Sequence, residues 1–302
     1  MVKDKIREIR GALISLLLFF PIYISGINNS YSQKSKLDFK ILYNLEMTSF
    51  KWNIAGNEHL SQPNILSEIL VSDLSFKKYG LSFKYTCYNN CKYNLCLSYG
   101  ISRKGYLLDV DYAENNRSGI YNIEKFKFSG AKVFNFGINQ FYPVLTHNKL
   151  GLLLSTNISL DNYNIPIKEP SISLDSYYRT SLVSIGGSIN MEYGERLLFQ
   201  CVIPINISKL YSEGFWNLRE DLKNPSFRQN VTGLVYGVNL ALIYKIKNNK
   251  IGFKFNKKNY LYENGKDITY TKLGNITTNL NEFKLNQNNF IIFISTPFKH
   301  KL

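Results

Sequence analysis

The chain has 302 residues and a formal net charge of +15 at pH 7, from 37 basic and 22 acidic side chains. This length fits one or two soluble domains or a single large all-β unit. The bases are spread along the chain without a zinc-finger, recognition-helix or RNA-binding signature, so we expect no nucleic-acid partner.

The first 33 residues have the features of a secretory signal. A basic start is followed by an apolar run from Gly11 to about Ile24, and small polar residues come next. The run is shorter than the roughly 18 to 20 apolar residues that span a bilayer, and Pro21 disfavours a stable spanning helix. We therefore expect a cleaved signal peptide at residues 1–33 and an exported domain at residues 34–302. The alternative is an N-terminal membrane anchor.

From residue 37 onward, apolar side chains recur with a period of two, which is typical of strands with one apolar face. In residues 231–246, a series that begins at Leu234 and Tyr236 alternates with small or polar side chains, and residues 150–161 and 182–194 repeat the pattern. These runs cover about ten to sixteen residues, whereas sandwich strands cover about five or six and membrane-spanning strands about nine to eleven. The pattern predicts a transmembrane β-barrel, with a soluble all-β protein as the alternative.

Short Asn- and Gly-rich segments, typical of tight turns, alternate with longer polar segments along the chain. The short segments are residues 88–94, 146–149, 193–195 and 247–250, and the long ones are residues 50–65, 105–124, 162–176, 209–229 and 265–285. Four short turns and five long loops predict ten antiparallel strands with both termini on the short-turn side. Outer-membrane barrels have this layout, with short periplasmic turns and long outer loops.

The four cysteines are Cys87, Cys91, Cys96 and Cys201. Their spacing matches no standard zinc pattern, and in an exported protein it favours a disulfide between Cys87 and Cys96. Free thiols are the alternative. We expect neither a metal nor a cofactor.

Two segments carry a family resemblance. The first, FKWNIAGNEHLSQPNILSE, contains Trp52 and residues 63–68, and the second, YGISRKGYLLDVDY, contains Gly105 followed by Asp109 and Asp111. Together they resemble the omptin family, in strand layout over nearly the whole exported chain and in motif across about residues 50–117. The resemblance implies a ten-stranded outer-membrane barrel. In proteolytic omptins, two aspartates of the second loop face an Asp-His pair of the fourth loop.

The resemblance assigns Asp109 and Asp111 to the first pair of that proteolytic site. The fourth loop has acidic side chains but no histidine, and a water that attacks an amide needs a base tuned near neutral pH. His59 lies in the first loop at no position that the family assigns to a base, while His147 and His300 lie in a short turn and in the terminal tail. We therefore expect the two aspartates to fix the second loop, through Arg117 and backbone amides.

In the fourth loop, Phe215, Trp216 and Arg219 form an amphipathic cluster that either packs over the barrel mouth or binds a partner. The sequence thus favours a noncatalytic barrel whose outer loops bind a ligand or partner, or which has a structural role in the envelope. One alternative is an omptin-like endopeptidase with Asp109, Asp111 and a rearranged base such as His59. The other is a narrow pore, which ten strands disfavour because side chains fill so small a lumen.

The expected partners follow from this placement. They are outer-membrane lipid, an unidentified protein or peptide, and surface glycolipid, which omptins bind as a family. The bases that we expect to hold glycolipid phosphates near the outer rim are Lys127, Arg179 and Lys209.

Overall fold

The computed structural model describes residues 36–57, 59, 63–87 and 91–298, so the expected signal peptide and His300 lie outside the described residues. In these ranges the chain forms twelve strands and a short 3-10 turn at Pro170–Ile172. The strands are β1 Lys36–Ile54, β2 Ser67–Thr86, β3 Lys92–Ser102, β4 Gly105–Tyr112, β5 Ile120–Phe128, β6 Lys132–His147, β7 Leu150–Glu169, β8 Leu174–Gly194, β9 Leu197–Phe215, β10 Leu222–Ile246, β11 Asn249–Thr271 and β12 Asn275–Phe298.

Within the described ranges, no helix is both long enough and apolar enough to cross a bilayer.

The twelve strands build a closed ring of ten, because two of the ten are interrupted. β3 and β4 lie end to end, and both pair with β2. β6 and β5 also lie end to end and together form the next strand of the ring. β6 pairs with β3, and β5 pairs with β4. β1 pairs with β2 on one side and with β12 on the other, which closes the ring. The predicted ten-stranded antiparallel β-barrel is confirmed.

The ring is hydrogen-bonded all round only in the half near the short turns. There β6 pairs with β7, but β5 has no strand partner other than β4 among the described residues. A seam therefore separates β5 from β7 at the loop end. A cleft of about 400 Å³ at the base of this seam is lined by residues that include Lys127, Phe128, Pro166 and Lys168.

The short turns lie where the sequence predicts them, between β2 and β3 and at residues 148–149, 195–196 and 247–248. Lys36 pairs with Thr86, so both ends of the described sheet lie on this side. The five outer connections are residues 55–66, 113–119, 170–173, 216–221 and 272–274. They are shorter than the predicted loops, because the strands continue through polar segments whose inward positions still pack into the interior.

An apolar girdle surrounds the barrel between the short turns and a ring of bases. On β9 the large apolar side chains that point outward from Leu197 to Ile207 are between 42% and 62% exposed. The next outward side chain on β9 is Lys209. The outward apolar series likewise gives way to a lysine at Lys77 on β2 and at Lys257 on β11. Outward apolar groups are thus concentrated at one height of the barrel.

A buried polar network crosses the interior near mid-height. The Glu46 carboxylate forms an ion pair with Lys78 and accepts a hydrogen bond of 3.0 Å from the Tyr163 hydroxyl. Asp161 accepts a 2.7 Å hydrogen bond from the Tyr260 hydroxyl. Because unpaired buried charges are costly, these partners are needed to hold carboxylates inside the barrel.

Apolar and aromatic side chains fill the interior between this network and the loop end. Trp52 stacks on Phe283 with ring centroids 5.8 Å apart and meets Tyr178 edge-on at 5.3 Å. The fully buried members of this cluster come from both sides of the ring, and none is more than 7% exposed. A water-filled channel would expose them, so the interior is closed at this height and the structure argues against the narrow pore.

The Cys87–Cys96 disulfide is not formed, and all four cysteines are free thiols. Cys96 pairs with Ser82, five residues before Cys87 on the neighbouring strand. At roughly 3.3 Å per residue this places the two cysteines on the order of 16 Å apart, whereas a disulfide needs Cα atoms within about 7 Å. The strand register therefore corrects the prediction.

Candidate functional site

The two aspartates lie side by side on β4, above the apolar girdle. Alternate residues of a strand share a face, so Asp109 and Asp111 both point toward the barrel mouth. Asp109 lies between Ile69 on β2 and Glu124 on β5. The backbone thus brings Glu124 beside the predicted pair.

Each aspartate has its own hydrogen-bond donor. The Ser67 hydroxyl donates to Asp109 Oδ1 at 3.1 Å, and Asn122 Nδ2 donates to Asp111 Oδ2 at 3.1 Å. The two carboxylates are thus hydrogen-bonded to separate donors.

Arg117 does not hold the aspartates, contrary to the sequence-based expectation. Its Nη2 atom binds Glu68 Oε2 at 2.8 Å, and Lys51 Nζ reaches the same oxygen at 3.1 Å. These groups lie on the outward face of β1 and β2, because Ile69, the neighbour of Glu68, is the residue that points inward. The ion pair stabilises the second outer connection from outside.

A contact between the first and second outer connections supports the mouth. The Asn64 backbone N–H donates to Asn115 Oδ1 at 2.8 Å, and Asn64 Nδ2 donates to Asn116 Oδ1 at 3.1 Å. The Asn116 backbone N–H donates back to Asn64 Oδ1 at 2.8 Å. This reciprocal pairing orders the end of the hairpin that carries both aspartates.

Four carboxylates set the electrostatics of the mouth. Burial raises the pKa of Asp109 from 3.8 to about 7, and the charges of Asp111 and Glu124 add to the effect. Burial likewise raises the pKa of Asp267, on β11, to about 6. The pKa of Tyr178 is raised by burial and then by the charges of all four of these carboxylates.

Among the described residues, no ion pair involves Asp109, Asp111 or Glu124. The same part of the chain contains no group of three His, Cys, Asp or Glu side chains that could hold a metal ion. The mouth is therefore locally acidic in a protein that is basic overall.

No histidine is hydrogen-bonded to the aspartates in the described part of the chain. His59 is exposed in the first outer connection, where its backbone N–H donates to Asn57 Oδ1 at 2.9 Å. His147 lies in a short turn beside Asn148, at the opposite end of the barrel. The structure brings the two aspartates together and pairs neither with an imidazole.

The fourth outer connection packs over the barrel mouth. The Trp216 indole meets Phe126 edge-on, with ring centroids 5.5 Å apart, and joins the apolar cluster. Phe215 ends β9, and Arg219 binds Asp221 through two hydrogen bonds of 2.8 and 2.7 Å. Trp216 thus favours the packing role of this cluster over the partner-binding one.

The three bases expected at the outer rim all lie over tyrosine rings. The distances from the charged group to the ring centroid are 5.9, 4.2 and 5.2 Å, for Lys127 over Tyr106, Arg179 over Tyr177 and Lys209 over Tyr211. Arg179 also pairs with Glu213 at 3.5 Å. These cation–π contacts fix the bases along the outer wall.

Sequence reasoning missed Glu124 and Asp267. Both lie on strands rather than in the predicted loop motif, and Asp267 is 156 positions from Asp111 in the numbering. An acidic residue at an inward position of a strand is the signal for such a group, but residues 105–124 and 265–285 are polar enough in sequence to predict loops.

Comparison with protein-family models finds no match for this sequence, and neither does comparison with curated proteins. Among solved structures, the fold is similar to the outer membrane protease OmpT from Escherichia coli, with a TM-score of 0.65 and 10% identity over 90% of this chain and 99% of that chain. The toluene transporter TodX from Pseudomonas putida matches with a TM-score of 0.36 and 9% identity, over 86% of this chain and 89% of that chain. At these identities, the likeness to OmpT shows the barrel fold alone, and the TM-score of TodX is too low to bear on it.

Proposed function

We propose that the protein is an integral outer-membrane β-barrel that binds a cationic segment of a peptide or protein at its acidic mouth without cleaving it. The apolar girdle supports the membrane placement. On β9 it covers about eleven residues, from Leu197 to Ile207, and a tilted strand needs about nine to eleven to cross the hydrocarbon. Bases at the edge of the girdle, such as Lys209, suit the lipid headgroup region.

The unpaired carboxylates at the mouth are the observation that carries the binding role. Asp109, Asp111 and Glu124 face one another across two strands without an ion-pair partner among the described residues. A lysine or arginine side chain of a partner would supply the missing positive charge, and burial of Asp109 strengthens such an attraction.

The endopeptidase is the second candidate, because the pKa of Asp109, about 7, is in the range of a general base. Two observations weigh against it. The aspartates are hydrogen-bonded to separate donors, Ser67 and Asn122, and neither is hydrogen-bonded to a histidine in the described part of the chain. The resemblance to proteolytic omptins is therefore limited to half of their site.

Peptide binding to the refolded protein in detergent tests the proposal. We expect a fluorescent Lys- and Arg-rich peptide to bind, and an Asp- and Glu-rich peptide of equal length not to bind, by fluorescence anisotropy. The double variant Asp109→Asn/Asp111→Asn should weaken binding about tenfold or more, while Glu195→Gln, an exposed change in a short turn at the opposite end of the barrel, should not. Equal binding of both peptides would refute the proposal.

Mass spectrometry of the same mixtures separates binding from proteolysis. The peptide should be recovered intact after long incubation with the wild-type protein. Cleavage that disappears in Asp109→Asn would instead establish the endopeptidase. Binding should also tighten as the pH rises from 6 to 8, because Asp109 becomes charged in this interval.

We further propose that Lys127, Arg179 and Lys209 bind phosphates of surface glycolipid on the outer wall. Their position beside the girdle and their ordered contacts with tyrosines support this role. Lys209→Gln should lower the amount of phosphate-bearing glycolipid retained by the purified barrel, whereas Lys245→Gln, an inward position on β10, should not. Equal retention by both variants would count against this partner.

A further inference from the structure

A basic cavity occupies the interior of the barrel below the polar network. Its volume is about 320 Å³, and its lining includes two carboxylates, Asp161 and Glu192, and several amide side chains. It also includes six lysines: Lys40, Lys78, Lys84, Lys92, Lys254 and Lys258. All of these residues lie on strands in the half of the barrel near the short turns or at its mid-height.

Most of the positive charge in this cavity is uncompensated. Lys92 pairs with Glu192 at 3.6 Å, and Lys78 pairs with Glu46 of the polar network. Asp161 is held by Tyr260 and by Asn135. Four lysines have no ion-pair partner among the residues that the structure describes: Lys40, Lys84, Lys254 and Lys258.

Ammonium groups of like charge inside a cavity repel one another more strongly than in bulk water, because the surrounding protein walls have a low dielectric constant. Walls of low dielectric also focus the field of such a group of charges and concentrate counter-ions inside the cavity. The volume equals roughly that of ten water molecules, at about 30 Å³ each, so an anion of several heavy atoms fits. The amide side chains of the wall, such as Asn94 and Asn139, can donate hydrogen bonds to its oxygens.

We propose that this cavity binds a small multivalent anion of the phosphate-ester or pyrophosphate class. The apolar cluster closes the interior toward the mouth, so the anion enters from the short-turn end. This site is separate from the acidic mouth and favours ligands of the opposite charge. A test of anion binding in the cavity is therefore independent of whether the mouth binds a peptide.

The thiol of Cys96 lines the cavity and reports directly on its electrostatics. The full-length refolded protein is treated with an anionic and with a cationic methanethiosulfonate reagent of similar size, and modification of Cys96 is followed by peptide mapping. We expect the anionic reagent to react about tenfold faster or more, and pyrophosphate to slow it. A cationic reagent that reacts equally fast, or a thiol that neither reagent reaches, would overturn the proposal.

Calorimetric titration with pyrophosphate then tests the lysines, with acetate as the singly charged comparison. Lys254→Gln and Lys258→Gln should each weaken pyrophosphate binding about tenfold. Lys257→Gln is the matched control, because Lys257 lies between them on β11 and points outward. Heat-modifiable mobility on gels checks that each variant is folded. Equal effects of all three changes, or equal binding of acetate and pyrophosphate, would show general ion screening and refute a built site.

Discussion

Replacing Asp109 with asparagine should stabilise the folded barrel, and more so at high pH than at low pH. In the folded protein, burial raises the pKa of Asp109 from 3.8 to about 7. That difference corresponds to at most about 4 kcal/mol of unfolding free energy, at about 1.4 kcal/mol for each tenfold change in proton affinity. Asparagine is close in shape and can still accept the hydrogen bond of the Ser67 hydroxyl, but it has no charge to bury.

The sign follows from proton binding in the two states. Between pH 3.8 and about 7 the folded protein holds the Asp109 proton that the unfolded chain has already released. Folding is therefore weakened progressively as the pH rises through this window, and the full penalty applies above it. The advantage of Asp109→Asn should be small at pH 4 and reach about 2 to 4 kcal/mol at pH 8, since partial solvent exposure screens the charge.

Urea unfolding in lipid vesicles at several pH values measures this difference, with Trp52 and Trp216 as fluorescent reporters. Extrapolation to zero denaturant gives the unfolding free energy of each protein. Glu220→Gln, at an exposed position, should show no such dependence on pH. An Asp109→Asn advantage that stays constant or shrinks between pH 4 and pH 8 would refute the assignment of a buried, protonated carboxyl to this site.

The same unfolding assay tests three other contacts. Lys78→Met should cost about 3 to 5 kcal/mol because it leaves the Glu46 charge buried without a partner, and adding Glu46→Gln should recover most of the loss. Trp216→Ala should cost about 2 kcal/mol, less than for a fully buried tryptophan, since the indole is only partly buried. Arg117→Gln should change the unfolding free energy by less than about 1 kcal/mol, because its ion pair with Glu68 is exposed; a larger loss would mean that this pair orders the whole second connection.

The strand count could be predicted because the period of two persists wherever one face meets an apolar medium and the other does not. The short turns were also predictable, since short polar segments that contain or adjoin an Asn or Gly interrupt that period sharply. The lengths of the outer loops could not be predicted in the same way. Above the girdle the outward residues become polar, as Lys209 and Glu213 do on β9, while the backbone ladder continues to Phe215. In the sequence, such a strand segment with polar outward residues resembles a loop.

The aspartate pair was predictable because its two members lie two residues apart on one strand. Their surroundings were not, because register alone decides which distant residues join them. Glu124 reaches Asp109 through the β4–β5 pairing, and Cys96 is kept from Cys87 by the β2–β3 pairing. Arg117 was predicted to bind the aspartates from its closeness in sequence, yet strand alternation placed its partner, Glu68, on the opposite face.

The seam between β5 and β7 gives the two halves of the barrel different mechanical characters. In the girdle half, every strand is joined to both neighbours by backbone hydrogen bonds, so no strand can separate without breaking a ladder. At the seam no strand pairing joins β5 to β7 among the described residues, so the β4–β5 hairpin is held by its ladder to β2 and by the contacts of Asn115 and Asn116 with Asn64. Amide hydrogens of β5 should therefore exchange with solvent faster than those of β10, and the acidic mouth has one wall whose outer edge lacks backbone pairing.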